Sequence, residues 1–367
     1  MNADFDEIGF LEGLLKIYSP SRDEAEAVNY LVAQMKVLGY EAIADGAGNA
    51  IGVMGDGPAE IMLLGHIDTV PGFIEVARDG DVLRGRGAVD AKGPLACFVA
   101  AGALAGQVAG RRITVIGAVG EEGDSRGAKH LLQSRLHASR APTMIIIGEP
   151  SGWERVTLGY KGSAWYEFTA KRTLAHTSAQ SESACEAAVS FWNRLTAQAA
   201  AMNADKPRMF DQLLPTLRGM VSESDGFVET AKLKLGLRLP PGLGVEALTA
   251  IVSEVASPDQ IELLDGVPAY RAEKNTPLVR SFLAAIRGEG GEPGFTVKSG
   301  TSDMNLVAPV WNCPTVAYGP GDSSLDHTPD EHILIPEYRR AVRVLARVLG
   351  DDRQTSEVSP VFGASEV

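Results

Sequence analysis

Acidic and histidine side chains follow three apolar runs of the sequence, each at the point where a run ends. Short runs rich in leucine or β-branched residues predict buried strands. Because the carboxyl ends of strands form the ligand crevice of an open α/β sheet, we expect the side chains that follow these runs to lie together. They are His66 and Asp68 after 61–65, Glu121 and Glu122 after 112–119, and Glu149 after 143–148.

Two further segments carry candidate ligands at a distance from these runs. Asp90 lies in the glycine-bracketed segment 85–93, and His327 lies in Leu-Asp-His-Thr-Pro-Asp. Carboxylates packed together without counterions repel each other, and some would be forced to take up protons. Divalent cations remove this conflict, and imidazole with carboxylate but no thiolate suits zinc, cobalt or manganese. Five ligands drawn from these seven side chains, one of them able to bridge, would suit a two-metal site.

The elements that must position these side chains follow from hydrophobic periodicity. Strands that alternate with helices predict an α/β domain with a central sheet. The pattern changes after Tyr160 to a βαββαβ-like unit, and the α/β character resumes from 277 onward. In that unit we predict strands at 161–172, 227–239 and 260–265 and helices at 182–203 and 244–256.

The chain is therefore expected to be one α/β domain, with a mixed central sheet and flanking helices, interrupted by a smaller α+β insert. Residues 351–367 are polar and aperiodic and predict a frayed tail. The expected divisions are a first catalytic part at 1–160, the insert at 161–270, a second catalytic part at 271–350 and the tail at 351–367.

The five chemistry-bearing segments resemble those of the aminoacylase, carboxypeptidase G and succinyl-diaminopimelate desuccinylase family of dinuclear metallohydrolases. The resemblance covers about residues 5 to 350 in order and spacing. It implies a zinc-exopeptidase-like catalytic domain, two divalent metal ions (zinc, or alternatively cobalt), and an inserted lid or dimerisation domain. A homodimer formed through that insert is the implied assembly.

The resemblance also implies a role for each ligand. His66 and Glu149 would be single-metal ligands on opposite ions, and Asp90 would bridge both ions. Glu122 and His327 would complete the coordination shells of the two metal ions. By the same resemblance, the ligand set therefore contains three carboxylates and two imidazoles.

Other residues match catalytic and substrate-binding positions of the family. Asp68 would orient His66, as carboxylates beside ligating histidines do. Glu121 would act as general base and then as general acid. His176, in an altered Ala-His-Thr-Ser pattern, would stabilise the oxyanion. Arg238 would bind the substrate carboxylate through its guanidinium fork. The substrate-contact loop would be formed by Ser299, Gly300 and Thr301.

The segment 148–162 narrows the resemblance to the lysine/ornithine hydrolases that act on an amino-group carrier protein. Those enzymes release lysine or ornithine from the C-terminal glutamate of a small acidic carrier in lysine and arginine biosynthesis. The alternatives within the family are an acetylornithine deacetylase, a succinyl-diaminopimelate desuccinylase and a dipeptide exopeptidase. An alternative of another class is a non-catalytic binding module on the same fold.

The net charge and the hydropathy of the sequence limit the classes of partner that the protein is expected to have. A net charge of −13 disfavours nucleic acid. No apolar run approaches the roughly 20 residues of a membrane span, and residues 1–8 are too acidic for a signal peptide, so we expect a cytoplasmic enzyme.

Residues 161–240 hold ten Lys or Arg against eight Asp or Glu, which predicts a basic patch for an acidic carrier. Its candidate residues are Lys161, Lys171, Arg172, Lys206, Arg208, Lys232 and Lys234.

Overall fold

The structure is a computed structural model that describes residues 5–135, 141–176 and 181–351. The tail predicted at 351–367 lies outside the described residues, apart from Asp351. The chain divides into two compact units. The second unit comprises Gly159–Arg271 and Val297–Asn305, and the remaining described residues form the first.

The helices and strands alternate along most of the chain. The helices are α1 (Glu7–Lys16), α2 (Ala25–Val37), α3 (Lys92–Ala105), α4 (Arg126–Arg135), α5 (Ala184–Asn203), α6 (Val245–Ala256), α7 (Pro277–Gly288), α8 (Met304–Trp311) and α9 (Ile335–Gly350). The strands are β1 (Glu41–Ala44), β2 (Ala50–Met54), β3 (Ala59–His66), β4 (Ala77–Asp79), β5 (Val82–Arg84), β6 (Arg111–Ala118), β7 (Met144–Gly148), β8 (Arg155–Tyr160), β9 (Gly162–Thr173), β10 (Leu214–Ser224), β11 (Val228–Leu239), β12 (Gln260–Val267), β13 (Tyr270–Arg271), β14 (Gly294–Lys298), β15 (Thr315–Ala317) and β16 (His332–Leu334).

The first unit is built on a mixed sheet with the strand order β1-β2-β6-β3-β7-β15-β8. The four central strands β6, β3, β7 and β15 run parallel to one another, whereas β1, β2 and β8 are antiparallel to their neighbours. The central strands are almost entirely buried, as their continuous apolar sequences require. The α/β fold with a mixed central sheet and flanking helices is therefore confirmed.

Helix α3 is apolar on every side because both of its faces are covered. It packs against the central strands on one side and against α9 on the other. The absence of a side chain at Gly148 lets Phe98 of α3 approach the sheet closely. A Cβ at this position would lie 2.9 Å from a ring carbon of Phe98 and 3.0 Å from Cα of Gly65. The two glycines pair across β3 and β7. Helix α3 is thereby fixed beside the ends of those strands.

The second unit is an antiparallel sheet in the order β10-β11-β9-β12, with α5 and α6 on one face. Its core joins alternate residues of β9 and β11 to the helices, and Phe168 stacks on Phe191 with ring centroids 4.1 Å apart. Strand β10 was not predicted from the sequence. It is an edge strand whose residues are mostly exposed, so it lacks the alternation that reveals a half-buried strand.

The predicted basic patch needs correction at Lys161, which is fully buried in the second unit. Its Nζ donates to the main-chain oxygens of Met209 (3.3 Å), Phe210 (3.1 Å) and Gln212. Burial lowers the pKa of Lys161 to about 8. Other members of the patch are engaged by carboxylates, in the pairs Arg172–Asp259, Arg208–Asp211 and Lys232–Glu167.

Lys161→Met is expected to lower the free energy of unfolding by about 1–3 kcal/mol, because it leaves three carbonyl oxygens without this donor. Chemical denaturation followed by circular dichroism measures the change. Lys171→Met, at an exposed lysine of the same unit, is the matched control and should change stability by less than about 0.5 kcal/mol. Equal stabilities of the two variants would contradict the anchoring role.

Among the described residues, no helix combines the length and the apolar character needed to cross a bilayer.

Candidate metal centre

Three adjacent parallel strands deliver the acidic and histidine side chains to one edge of the first unit's sheet. His66 is the last residue of β3 and pairs with Ala118 of β6, while Gly65 pairs with Gly148 of β7. Glu149 directly follows β7, and Glu121 and Glu122 lie three and four residues after the end of β6. The rule that ligands collect at the carboxyl ends of parallel strands accounts for this arrangement.

Asp90 lies between two imidazole rings. Its Oδ1 is 3.1 Å from Nε2 of His66, and its Oδ2 is 2.9 Å from Nε2 of His327. The same His327 nitrogen is 2.9 Å from Oε1 of Glu122. One ligand atom from each of His66, Asp90 and Glu122 lies within 4.8 Å of the other two. A carboxylate whose oxygens face different imidazoles has the geometry of a bridging ligand.

Glu149 and Glu121 approach the centre from the side of His66. The Nε2 atom of His66 lies 4.0 Å from Oε1 of Glu149 and 3.9 Å from Oε2 of Glu121. Glu122, in contrast, contacts His327. This grouping differs from the expectation that His66 and Glu149 serve opposite ions, since a carboxylate oxygen of Glu149 lies 4.0 Å from Nε2 of His66.

Asp68 anchors the loop that follows β6. Its carboxylate accepts hydrogen bonds from the main-chain N–H groups of Glu121 (3.0 Å) and Glu122 (3.1 Å) and from the hydroxyl of Ser21 (2.6 Å). The nearer contact of His66 Nδ1 is the main-chain oxygen of Asp68 at 2.9 Å, whereas the Asp68 carboxylate is 3.6 Å away. Asp68 therefore positions Glu121 and Glu122 as directly as it positions His66.

The charges at this centre are strongly coupled. Burial opposes protonation of His66, but its hydrogen bonds to Asp68 and Asp90 raise its pKa well above the usual range. Hydrogen bonds to Asp90 and Glu122 raise the pKa of His327 to about 10. Burial, assisted by the negative charge of Asp90, raises the pKa of Glu149 well above its ordinary value. The pKa of Glu122 is raised in the same direction, chiefly by burial.

These shifts test whether the centre suits metal ions. Without metal ions, the raised pKa values of the imidazoles and of Glu149 would let protons offset the repulsion among the buried carboxylates. Divalent cations would supply that positive charge instead, and every side chain present is an oxygen or nitrogen ligand of the kind that zinc and cobalt accept. The residues therefore fit the metal ions that the sequence predicts.

Zinc binding should therefore displace protons, and zinc affinity should fall as the pH falls. The sign follows from the raised pKa values of His66, His327 and Glu149, because groups that hold protons at higher pH must lose them before they can ligate. Isothermal titration in buffers of different ionisation enthalpy measures the released protons. Binding heats that are identical in every buffer would contradict the prediction.

The remaining predicted site residues belong to the second unit. Arg238 donates from Nη1 to the hydroxyl of Thr301 at 3.0 Å, so these two predicted residues do come together. Burial and the neighbouring guanidinium of Arg218 lower the pKa of Arg238. His176 is exposed, three residues after the end of β9. A Cβ added at Gly300, within the predicted loop, would meet no other residue within 4 Å apart from its chain neighbours.

Sequence reasoning did not identify two charged residues that lie beside the centre. Arg86 and Glu331 form a buried ion pair of 2.8 Å, and Glu331 contacts the backbone of Asp90. Their only signal in the sequence is proximity, since Arg86 is four residues before Asp90 and Glu331 is four residues after His327.

Comparison with known proteins identifies close relatives over nearly the whole chain. Residues 62–351 match the model of peptidase family M20/M25/M40. A LysW-lysine hydrolase of Deinococcus radiodurans is 42% identical over 344 residues, which cover 91% of this chain and 94% of the relative. A putative LysW-lysine/LysW-ornithine hydrolase of Thermococcus kodakarensis is 39% identical over 358 residues, covering 97% and 95% of the two chains.

Solved structures share the fold at low sequence identity. An M20 family metallo-carboxypeptidase of Sulfolobus solfataricus superposes with a TM-score of 0.76 at 17% identity, covering 94% of this chain and 99% of that one. A dinuclear metal binding peptidase of the M20 family from Bacillus subtilis gives a TM-score of 0.70 at 14% identity, covering 93% and 96%. The family resemblance predicted from the five sequence segments is confirmed, and the chain belongs to peptidase family M20/M25/M40.

Proposed function

We propose that this chain is a metal-dependent amide hydrolase that releases lysine or ornithine from the C-terminal glutamate of the LysW amino-group carrier protein, in lysine or arginine biosynthesis. The observation that supports the chemistry is Asp90 between two imidazoles, with Glu121 beside His66. The substrate is inferred from relatives at 42% and 39% identity that carry LysW-lysine and LysW-ornithine hydrolase names.

Two divalent ions, zinc or cobalt, would be held by the five ligands in a grouping that follows the contacts. His66 and Glu149 would hold one ion, and His327 and Glu122 would hold the other. Asp90 would bridge the two. When bound, such ions polarise an amide carbonyl and lower the pKa of a water molecule.

Glu121 is the proposed general base and acid. Its main-chain N–H is held by Asp68, which fixes the start of the loop, and its carboxylate lies 3.9 Å from His66. From this position Glu121 would take the proton of the attacking water and return it to the leaving α-amine. Proton transfer by a positioned carboxylate accounts for roughly 10²–10⁴ in rate in comparable enzymes.

Substrate recognition is assigned to the inserted unit, which we propose acts as a lid and dimerisation domain. Arg238, oriented by Thr301, would bind the carboxylate of the amino acid that is released. Ser299 and Gly300 would form the substrate-contact loop together with Thr301. His176 would stabilise the oxyanion, as the family resemblance implies.

A homodimer formed through the inserted unit is part of the proposal. Edge strand β10 exposes Met220 and Val221, and Phe227 in the following turn is 80% exposed. An exposed edge with apolar side chains favours pairing with another chain. Sedimentation analysis should give a dimer, and Val221→Lys should shift it toward monomer. A monomer at all concentrations of the unaltered protein would remove this part of the proposal.

Metal-dependent amine release tests the proposed function. The purified protein is stripped with chelator, reloaded with zinc or cobalt, and given LysW-linked lysine, LysW-linked ornithine, N-acetylornithine and succinyl-diaminopimelate in parallel. Turnover of the carrier-linked substrates alone supports the proposal. Preference for a small acyl substrate keeps the chemistry and overturns the carrier as the substrate. Absence of metal-dependent turnover of any of these substrates overturns the proposed function.

A further inference from the structure

The buried ion pair between Arg86 and Glu331 joins segments that are 245 residues apart in the sequence. The Nη1 atom of Arg86 lies 2.8 Å from Oε2 of Glu331, and the two side chains are 7% and 1% exposed. A charged pair removed from water in this way is costly unless its remaining hydrogen-bonding groups are satisfied. The partners of those groups show what the pair holds in place.

Glu331 holds the backbone that carries Asp90. Its second oxygen, Oε1, accepts hydrogen bonds from the main-chain N–H of Val89 at 2.9 Å and of Asp90 at 3.0 Å. Asp90 must present one oxygen to each of two imidazoles, so the orientation of its backbone determines both contacts. A carboxylate fixed on that backbone limits its rotation.

Arg86 reaches the segments of the two histidines. Its Nε donates to the main-chain oxygen of Gly72 at 2.8 Å, in the segment that follows His66. Its Nη1 donates to the main-chain oxygen of Thr328 at 3.2 Å, next to His327. The planar guanidinium offers several donors in a rigid fork, and a lysine ammonium at this position lacks that geometry.

We propose that Arg86 and Glu331 are positioning residues that set the separation and orientation of His66, Asp90 and His327, and so determine the affinity of the centre for its metal ions. The inference rests on the proposed metal site. Among the described residues, the pair contacts the main chain of the three ligand segments rather than their ligand atoms, so it would act through those backbones.

The test compares Glu331→Gln with Glu289→Gln. Glu289 is a partly buried glutamate of the first unit that pairs with Arg343 and Arg347, and it contacts none of the ligand segments in the described residues. Zinc affinity is measured by competition with a chromogenic chelator, and the visible absorption spectrum of the cobalt-loaded protein reports ligand geometry. Chemical denaturation of the metal-free proteins reports stability separately.

Glu331→Gln is expected to weaken zinc binding by about 10–100-fold, the loss typical of residues that orient metal ligands, and to change the cobalt spectrum. Glu289→Gln should lose stability while it keeps the affinity and the spectrum of the unaltered protein. If Glu331→Gln binds zinc with unchanged affinity and an unchanged cobalt spectrum, the pair is only structural and the inference is overturned.

Arg86→Lys provides an independent variant if Glu331→Gln does not fold. It keeps the charge opposite Glu331 but replaces the rigid fork of Nε and Nη1 by a single ammonium nitrogen, which does not preserve the geometry of the bonds to Gly72 and Thr328. A smaller loss of zinc affinity, with the same direction of spectral change, supports the inference, whereas unchanged affinity and spectrum overturn it. Absence of zinc binding by the unaltered protein would instead refute the proposed function on which the inference rests.

Discussion

Replacing Glu121 by Gln is expected to lower kcat by about 10²–10⁴-fold while zinc affinity stays nearly unchanged. Glutamine keeps the size of the side chain but cannot accept the proton of the attacking water. Glu121 is not among the five proposed ligands, and its main-chain N–H bond to Asp68 survives the change. Steady-state assay of the zinc-loaded variant, with a parallel zinc titration, separates the two effects.

Asp124→Asn is the matched control, because Asp124 lies on the same loop and its side chain is half exposed. This variant should keep nearly full activity. A Glu121→Gln variant that retained most of its activity would refute the role as base. If Glu121→Gln also lost zinc binding, Glu121 would be a metal ligand rather than the residue that transfers the proton.

Replacing Asp90 by Asn is expected to abolish the stabilisation of the protein by zinc. A ligand present at 100 times its dissociation constant adds about 2.7 kcal/mol to the free energy of unfolding, and this increment should fall close to zero in the variant. The neutral amide cannot balance two cations, and its single oxygen can accept a hydrogen bond from only one of the two imidazoles, His66 or His327, that face Asp90. Thermal denaturation with and without zinc measures the increment.

Asp56→Asn, at an exposed aspartate of the same unit, serves as the control and should retain the full zinc increment. An Asp90→Asn variant stabilised by zinc as strongly as the unaltered protein would exclude Asp90 as a bridging ligand. Catalytic turnover should disappear together with the zinc increment, because both depend on the same carboxylate.

The position of the centre could be predicted from the sequence because three of its segments begin where apolar runs end. The runs before His66, Glu121 and Glu149 are buried on both faces of the sheet, so their composition reveals them as strands. Parallel pairing of β3 with β6 and β7 then brings their carboxyl ends together. Family resemblance supplied the individual roles of Asp90 and His327, which follow no buried strand.

Features that depend on tertiary packing could not be predicted in this way. Nothing in the local pattern distinguishes the buried Lys161 from its exposed neighbours on the insert, because its partners lie about fifty residues further along the chain. Which glutamate lies beside His66 depends on how the strand ends are arranged around Asp90, and the local sequence does not reveal that arrangement. The Arg86–Glu331 contact likewise joins two loops that no periodicity relates.

The covering of α3 by α9 has a consequence for synthesis on the ribosome. Helix α9 and strand β15 lie at 315–350, so the apolar outer face of α3 stays uncovered until the chain has grown more than two hundred residues beyond it. The second unit is complete in sequence by Asn305, before that covering helix exists. Domains fold as units while the chain emerges, and uncovered apolar surface is prone to aggregation. Nascent chains that stop short of α9 are therefore the species that should need a chaperone most.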